Sequence, residues 1–297
     1  MAEAAGDVDD LKAANAKELH RAIREEGEDE LRRPLTSLFW SGIAAGLAIN
    51  ASLLAEGVLY EKLPVAPWRE RVVAMGYPVG FLIVILGRMQ LFTESTITAV
   101  LPLVSDPTRG SLLRTLRLWG VVLGANLIGT ATGAAMIAFG GVGSAGAHDA
   151  MIAVALPILQ HGAFATMVNA VPAGFLIAIL AWSLPNAREQ SFLVIFAVTW
   201  VVAIGGFSHS VVGSSEAFLL FYSGHADVVR TVFGLIVPAV VGNLIGGAGI
   251  FALLAHGQVR GEMTEETRRQ RSEARRQRRG ERRGRPAVGT PDRAQII

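Results

Sequence analysis

Apolar residues in this chain fall into long blocks separated by short polar joints, with a charged segment at either end. A bilayer core is crossed by roughly 20 apolar helical residues. Blocks at about 35–58, 72–104, 111–139, 164–184, 191–222 and 228–256 reach that length, which predicts six membrane helices. Two of them are too long for one simple span. The block 191–222 reads SFLVIFAVTWVVAIGGFSHSVVGSSEAFLLFY, with Gly205, Gly206, Phe207, Ser208, His209 and Ser210 near its middle. Two glycines followed by hydroxyls and an imidazole weaken a helix where lipid penalises every unpaired backbone group. The block 72–104 is interrupted in the same way by Gly87, Arg88, Met89 and Gln90, then by Thr93, Glu94, Ser95 and Thr96. Helices two and five are therefore expected to be broken. A break is tolerated only where it lines a cavity or packs against protein, and an ionisable residue at that depth marks a functional site by default.

The flanks divide the chain into a polar segment at 1–34, a six-span domain at 35–256 and a basic tail at 257–297. In the first segment a helix is expected over 9–32. Leu11, Leu19, Ile23 and Leu31 form only a sparse apolar stripe, so an interfacial or solvent-facing helix is expected. The segment 151–160 is apolar but short, as for a surface or re-entrant piece, and Glu56, near a span end, is read as snorkelling. Hydrophobic residues make up 51% and charged residues 18% of the chain, and there is no cysteine. That excludes disulfides and thiolate metal sites, and no cofactor or metal site is expected. From Arg260 onward the tail holds 12 arginines. With an even number of spans, this excess places both termini in the cytoplasm. The arginine run could suggest nucleic acid, but attraction to anionic lipid is the simpler reading.

Asn126-Leu127-Ile128-Gly129 recurs 117 residues later as Asn243-Leu244-Ile245-Gly246. The same offset carries Phe92 onto His209 and Thr93 onto Ser210, so the two breaks align. Spans one to three and four to six then form two copies. Three is odd, so the copies lie in the membrane in opposite senses. Two inverted three-helix repeats with paired broken helices are an architecture of transporters and channels.

The segment LFTESTITAVLPL, the GFSH segment and the paired NLIG helices resemble the formate/nitrite transporter family over about 35–256, and a divergent branch of it. The resemblance implies an aquaporin-like protomer, assembled as a homopentamer in the cell inner membrane. It further implies passage of a small monovalent anion such as formate, nitrite or hydrosulfide, often with a proton. By position, His209 is the central pore histidine and Thr93 the hydroxyl facing it. Leu91 and Tyr77 fall at the periplasmic constriction, Phe81 and Val202 at the cytoplasmic one. The sequence departs from the family pattern at Gly213 and Gly174, where asparagines are usual, and no lysine precedes span four. Arg88 and Glu94 are additions, read either as an anion-attracting charge or as a loop ion pair.

Two other classes fit some of these residues. A neutral-solute facilitator of aquaporin type shares the topology, but the Asn-Pro-Ala pair is missing from the breaks. An intramembrane enzyme would use Ser208, Ser210 or Ser215 as nucleophile with His209 as base, although neighbouring residues on one segment seldom face each other and no acidic orienter is evident.

Overall fold

In the computed structural model, which describes residues 13–262, 264, 265 and 268, every regular element among the described residues is helical. The first residues of the expected N-terminal helix and nearly all of the arginine tail lie outside the described residues. Helix α1 (Ala16–Arg32) starts at a capping box. The Asn15 side chain accepts the N–H groups of Lys17 and Glu18, and the Glu18 carboxylate takes the Asn15 N–H in return, which satisfies donors that a helix start leaves open. The helix is docked rather than solvent-facing. Leu19, His20, Ile23, Gly27 and Leu31 are buried along one face. His20 and Gly27 complete a stripe that hydropathy alone leaves broken. A Cβ on Gly27 would lie 1.8 Å from the Thr98 carbonyl oxygen, so this close approach requires glycine.

Four helices are long and apolar enough to cross a membrane: α2 (Leu35–Lys62), α5 (Arg109–Phe139), α7 (Ala163–Asn186) and α10 (Arg230–Glu262). They pack in two close pairs. Where α2 meets α5, a Cβ on Gly46 would fall 2.2 Å from the Asn126 carbonyl oxygen; where α7 meets α10, one on Gly174 would fall 2.3 Å from that of Asn243. Small residues let backbones touch in this way, where lipid supplies no hydrophobic drive between helices. A shorter helix, α6 (Ala145–Ala155), begins on the Ser144 cap and buries Met151 against α2. It starts earlier than the apolar run at 151–160 indicated.

Between the long helices lie the interrupted blocks: α3 (Pro78–Leu86) and α4 (Ser95–Ser105), then α8 (Ser191–Ile204) and α9 (Ser210–Tyr222). Helices α3 and α8 stop in the same manner. Arg88 has φ 51° and Gly206 φ 63°. The N–H of Arg88 reaches Ile85 O at 3.0 Å and that of Met89 reaches Val84 O at 3.0 Å. The N–H groups of Gly206 and Phe207 reach Ala203 O and Val202 O at 3.0 and 3.1 Å. This pair of bonds closes a helix C-terminus through one left-handed residue. In α3 that residue is an arginine, at roughly 1–2 kcal/mol of backbone cost.

Candidate functional site

Two asparagines hold the breaks. Fully buried Asn126 donates its side-chain amide to Gly42 O at 2.8 Å and Gln90 O at 2.9 Å, and accepts the Phe92 N–H at 2.9 Å. Asn243 donates to Ala170 O at 2.8 Å and Ser208 O at 3.1 Å, and accepts the Ser210 N–H at 2.8 Å. Each carboxamide thus satisfies backbone groups that a broken helix would otherwise leave bare in an apolar medium. The same bonds shift the repeat register. The acceptor asparagine lies 34 residues beyond Phe92 but 33 beyond Ser210. Phe92 therefore corresponds to Ser210, one residue later than the 117-residue offset gave, and Arg88 to Gly206. The second half carries one residue fewer between its break and its NLIG match.

Between the two ties sits His209, whose Nε2 lies 2.8 Å from Thr93 Oγ1. Its Nδ1 accepts the Val212 N–H at 3.2 Å, so the ring caps α9. With Nδ1 an acceptor, the neutral ring carries its proton on Nε2 and donates it to the Thr93 oxygen. The Thr93 hydroxyl proton is then left to turn toward a guest. Phe81 meets the imidazole edge-on, with ring centroids 5.0 Å apart, and Tyr77 packs on Phe81 at 5.4 Å. Tyr77, Phe81, Leu91 and Val202 belong to one buried apolar cluster around this pair. Among the described residues the ring nitrogens of His209 are bonded to Thr93 and Val212 and to none of Ser208, Ser210 and Ser215.

Cavities open at both ends of the cluster. One of about 360 Å³ reaches His209 and Tyr77 and is lined by Glu56, Glu70 and Glu216. The other, about 610 Å³, reaches Leu91 and lies under α1, with Glu26, Glu30, Arg88 and Glu94 in its wall. Tyr77 lines the first cavity and Leu91 the second, and both belong to the buried cluster between them. Tyr77 precedes α3 and Leu91 follows it.

Arg88 does not pair with Glu94. Its guanidinium is largely exposed and reaches Glu26 on α1 at 3.0 Å. Glu30, also on α1, accepts from Gln90 at 2.9 Å and from Thr98 at 2.6 Å, which ties the N-terminal helix to the first break. Burial pushes its carboxyl above the ordinary range. Glu56 does not snorkel; it is 6% exposed. Sequence reasoning marked the two asparagines only as a repeat signature, and it missed Glu30. A carboxamide at span depth in both halves was the available signal for the first.

The formate/nitrite transporter family model matches residues 17–257. Over 268 residues the chain is 37% identical to the inner membrane protein YfdC of Escherichia coli, covering 89% of this chain and 86% of that one. A solved FNT family ion channel superposes with a TM-score of 0.68 at 18% identity, over 79% of this chain and 96% of its own. A solved pentameric formate channel with formate bound gives a TM-score of 0.64 at 18% identity, over 76% and 97%. At that identity these structures speak for the fold.

Proposed function

The chain belongs to the formate/nitrite transporter family, and on that premise we propose that it conducts a small monovalent anion of the formate or nitrite kind across the inner membrane, coupled to a proton. The observation that carries this reading is the His209–Thr93 contact of 2.8 Å where two interrupted helices meet, between cavities at either end of an apolar cluster. A bare anion loses several kcal/mol of solvation in such a barrier, whereas the neutral acid loses far less. His209 Nε2–H and the Thr93 hydroxyl offer the passing oxygens hydrogen bonds midway. For the ring to relay a proton rather than lend a hydrogen bond, Nδ1 has to release the Val212 N–H and accept a proton in its place. The imidazole is the one side chain whose ordinary titration range suits that exchange.

The architecture assigned to this function is six spans in two inverted halves, with α3 plus α4 and α8 plus α9 each crossing as a broken helix. The equivalent ties made by Asn126 and Asn243 support it. Both termini are assigned to the cytoplasm from the arginine tail, which puts the cavity under α1 on that side. A homopentamer is proposed from the pentameric relative, with exposed apolar residues such as Trp40, Phe164 and Phe233 facing lipid or neighbouring protomers. Arg88 is assigned to loop pairing, not to anion attraction, since Glu26 answers its charge. Uptake of formate, nitrite and hydrosulfide into proteoliposomes across a pH series, beside water permeability, tests the proposal. Water flux without uptake of any of these anions would overturn it.

A further inference from the structure

The cavity that reaches His209 is acidic, which is a poor vestibule for a free anion. Its carboxylates come from separate elements: Glu56 from α2, Glu70 from the turn before α3, and Glu216 from α9. Among the described residues no lysine or arginine lines it. Glu56 is almost fully buried, and its Oε2 has no hydrogen-bond partner. Glu216 is half-buried two helical turns beyond His209. The guanidiniums on the surrounding elements are committed to other groups. Arg69 lies 3.7 Å over the Tyr60 ring and donates to the Tyr60 carbonyl. Arg71 donates to Pro67 O, and Arg230 to the carbonyls of Leu159 and His161. Among the described residues no ion pair includes Glu56 or Glu216. The other titratable groups facing this space are Tyr60, Tyr77, His161 and His209.

Two carboxylates line one cavity, one of them almost fully buried with an unpartnered oxygen, and no ion pair answers either, which disfavours their joint ionisation and favours keeping a proton. We propose that Glu56 and Glu216 are the proton-exchange site of the conduction route, an inference that rests on the anion-conducting function above. The O–H bond of the protonated carboxyl breaks as an O–H bond forms on the incoming anion. The substrate approaches His209 as the neutral acid, so the ring relays a proton that the carboxyl pair has brought into the pore, and a proton from bulk water restores the carboxyl. The pair thereby selects for anions that can be protonated: a weak acid's anion such as nitrite passes, and nitrate, of like size and charge but the anion of a strong acid, is repelled.

Two measurements on the full chain in lipid test this. Infrared spectra of wild-type protein at neutral pH are expected to show a carboxylic-acid C=O band that Glu56→Gln and Glu216→Gln each diminish. A wild-type spectrum without that band, or one unchanged in both variants, overturns the proposal whatever the flux shows. In vesicles, wild-type protein is expected to favour nitrite over nitrate. Folded Glu56→Gln with Glu216→Gln should lower that ratio by about tenfold, equivalent to roughly 1.4 kcal/mol, and flatten its pH dependence. An unchanged ratio and pH profile overturns the proposal. Absence of any anion flux in wild type overturns the function above instead, while the infrared arm still decides whether the pair holds a proton.

Discussion

Replacing Asn243 by leucine removes a side chain that anchors the backbone on both sides of His209. The shape is nearly kept, so the cost of a cavity is small. What is lost is polar. The Ser210 N–H and the carbonyls of Ala170 and Ser208 lose their bonds of 2.8, 2.8 and 3.1 Å. An orphaned buried group costs about 1–3 kcal/mol, but side-chain hydrogen bonds within membranes average nearer 0.6, at most about 1.7. Three losses at about 1–1.7 kcal/mol give roughly 3–5 kcal/mol for Asn243→Leu. Asn243→Asp keeps the acceptor for Ser210 and sets a carboxyl against two carbonyls, so it falls in the same range. Reversible unfolding in mixed lipid–detergent micelles measures the difference. The corresponding bonds of Asn126 set the same expectation for Asn126→Leu. A loss below about 1 kcal/mol for Asn243→Leu, with the His209–Thr93 contact retained, would refute the view that this carboxamide holds the break.

The remaining predictions concern the pore, the first break and the N-terminal helix. His209→Asn keeps a polar side chain that cannot titrate; it should assemble yet lose proton-coupled uptake, while Thr93→Val should shift the pH profile of uptake without abolishing it. Simultaneous proton and substrate flux in the same vesicles decides this, and intact coupling in folded His209→Asn would sink the relay. Arg88→Gly relieves the left-handed backbone and forfeits an exposed ion pair worth about 0–1 kcal/mol. Stability within about 1 kcal/mol of wild type is expected, with anion uptake unchanged; a fall in uptake at normal assembly would restore an anion-attracting role. His20, buried with its Nε2 3.2 Å from His256 Nδ1, titrates at about 4, lowered by burial, then by His256 and Arg24. Because its docked value lies below the ordinary 6.5, α1 docking is strongest above pH 6.5 and weakens as pH falls toward 4. At pH 5 the linkage is worth about 2 kcal/mol, halved to roughly 1 where water reaches the helix. Glu30, raised by burial, acts in the opposite sense. Amide exchange over 16–32 should therefore rise between pH 7 and pH 5 more in wild type than in His20→Phe, and equal changes would count against the histidine.

Much of this molecule follows from short stretches of sequence. Hydropathy sums over neighbours, so the four long apolar helices could be marked from composition alone. The glycines and hydroxyls around His209 located the interruption, because helix propensity is local. The start of α1 is misplaced by the sequence reading: a helix is expected from residue 9, whereas the capping box of Asn15 and Glu18 begins it at Ala16. Partnership is another matter. Glu56 and Glu216 share a cavity although 160 residues separate them, and nothing near either one indicates it. Arg88 pairs with Glu26 rather than nearby Glu94 because α1, distant in sequence, packs beside the first break. The NLIG repeat pointed at Asn126 and Asn243 but not at the groups they bind, and it misplaced the breaks by one residue. Only the approach of α2 to α5, and of α7 to α10, brings those carboxamides to the interrupted backbone. Residue type and spacing set which segments are helical and where they fail. Which groups then meet is set by rigid helices crossing at contacts far apart in the chain, and that is a property of the packed structure.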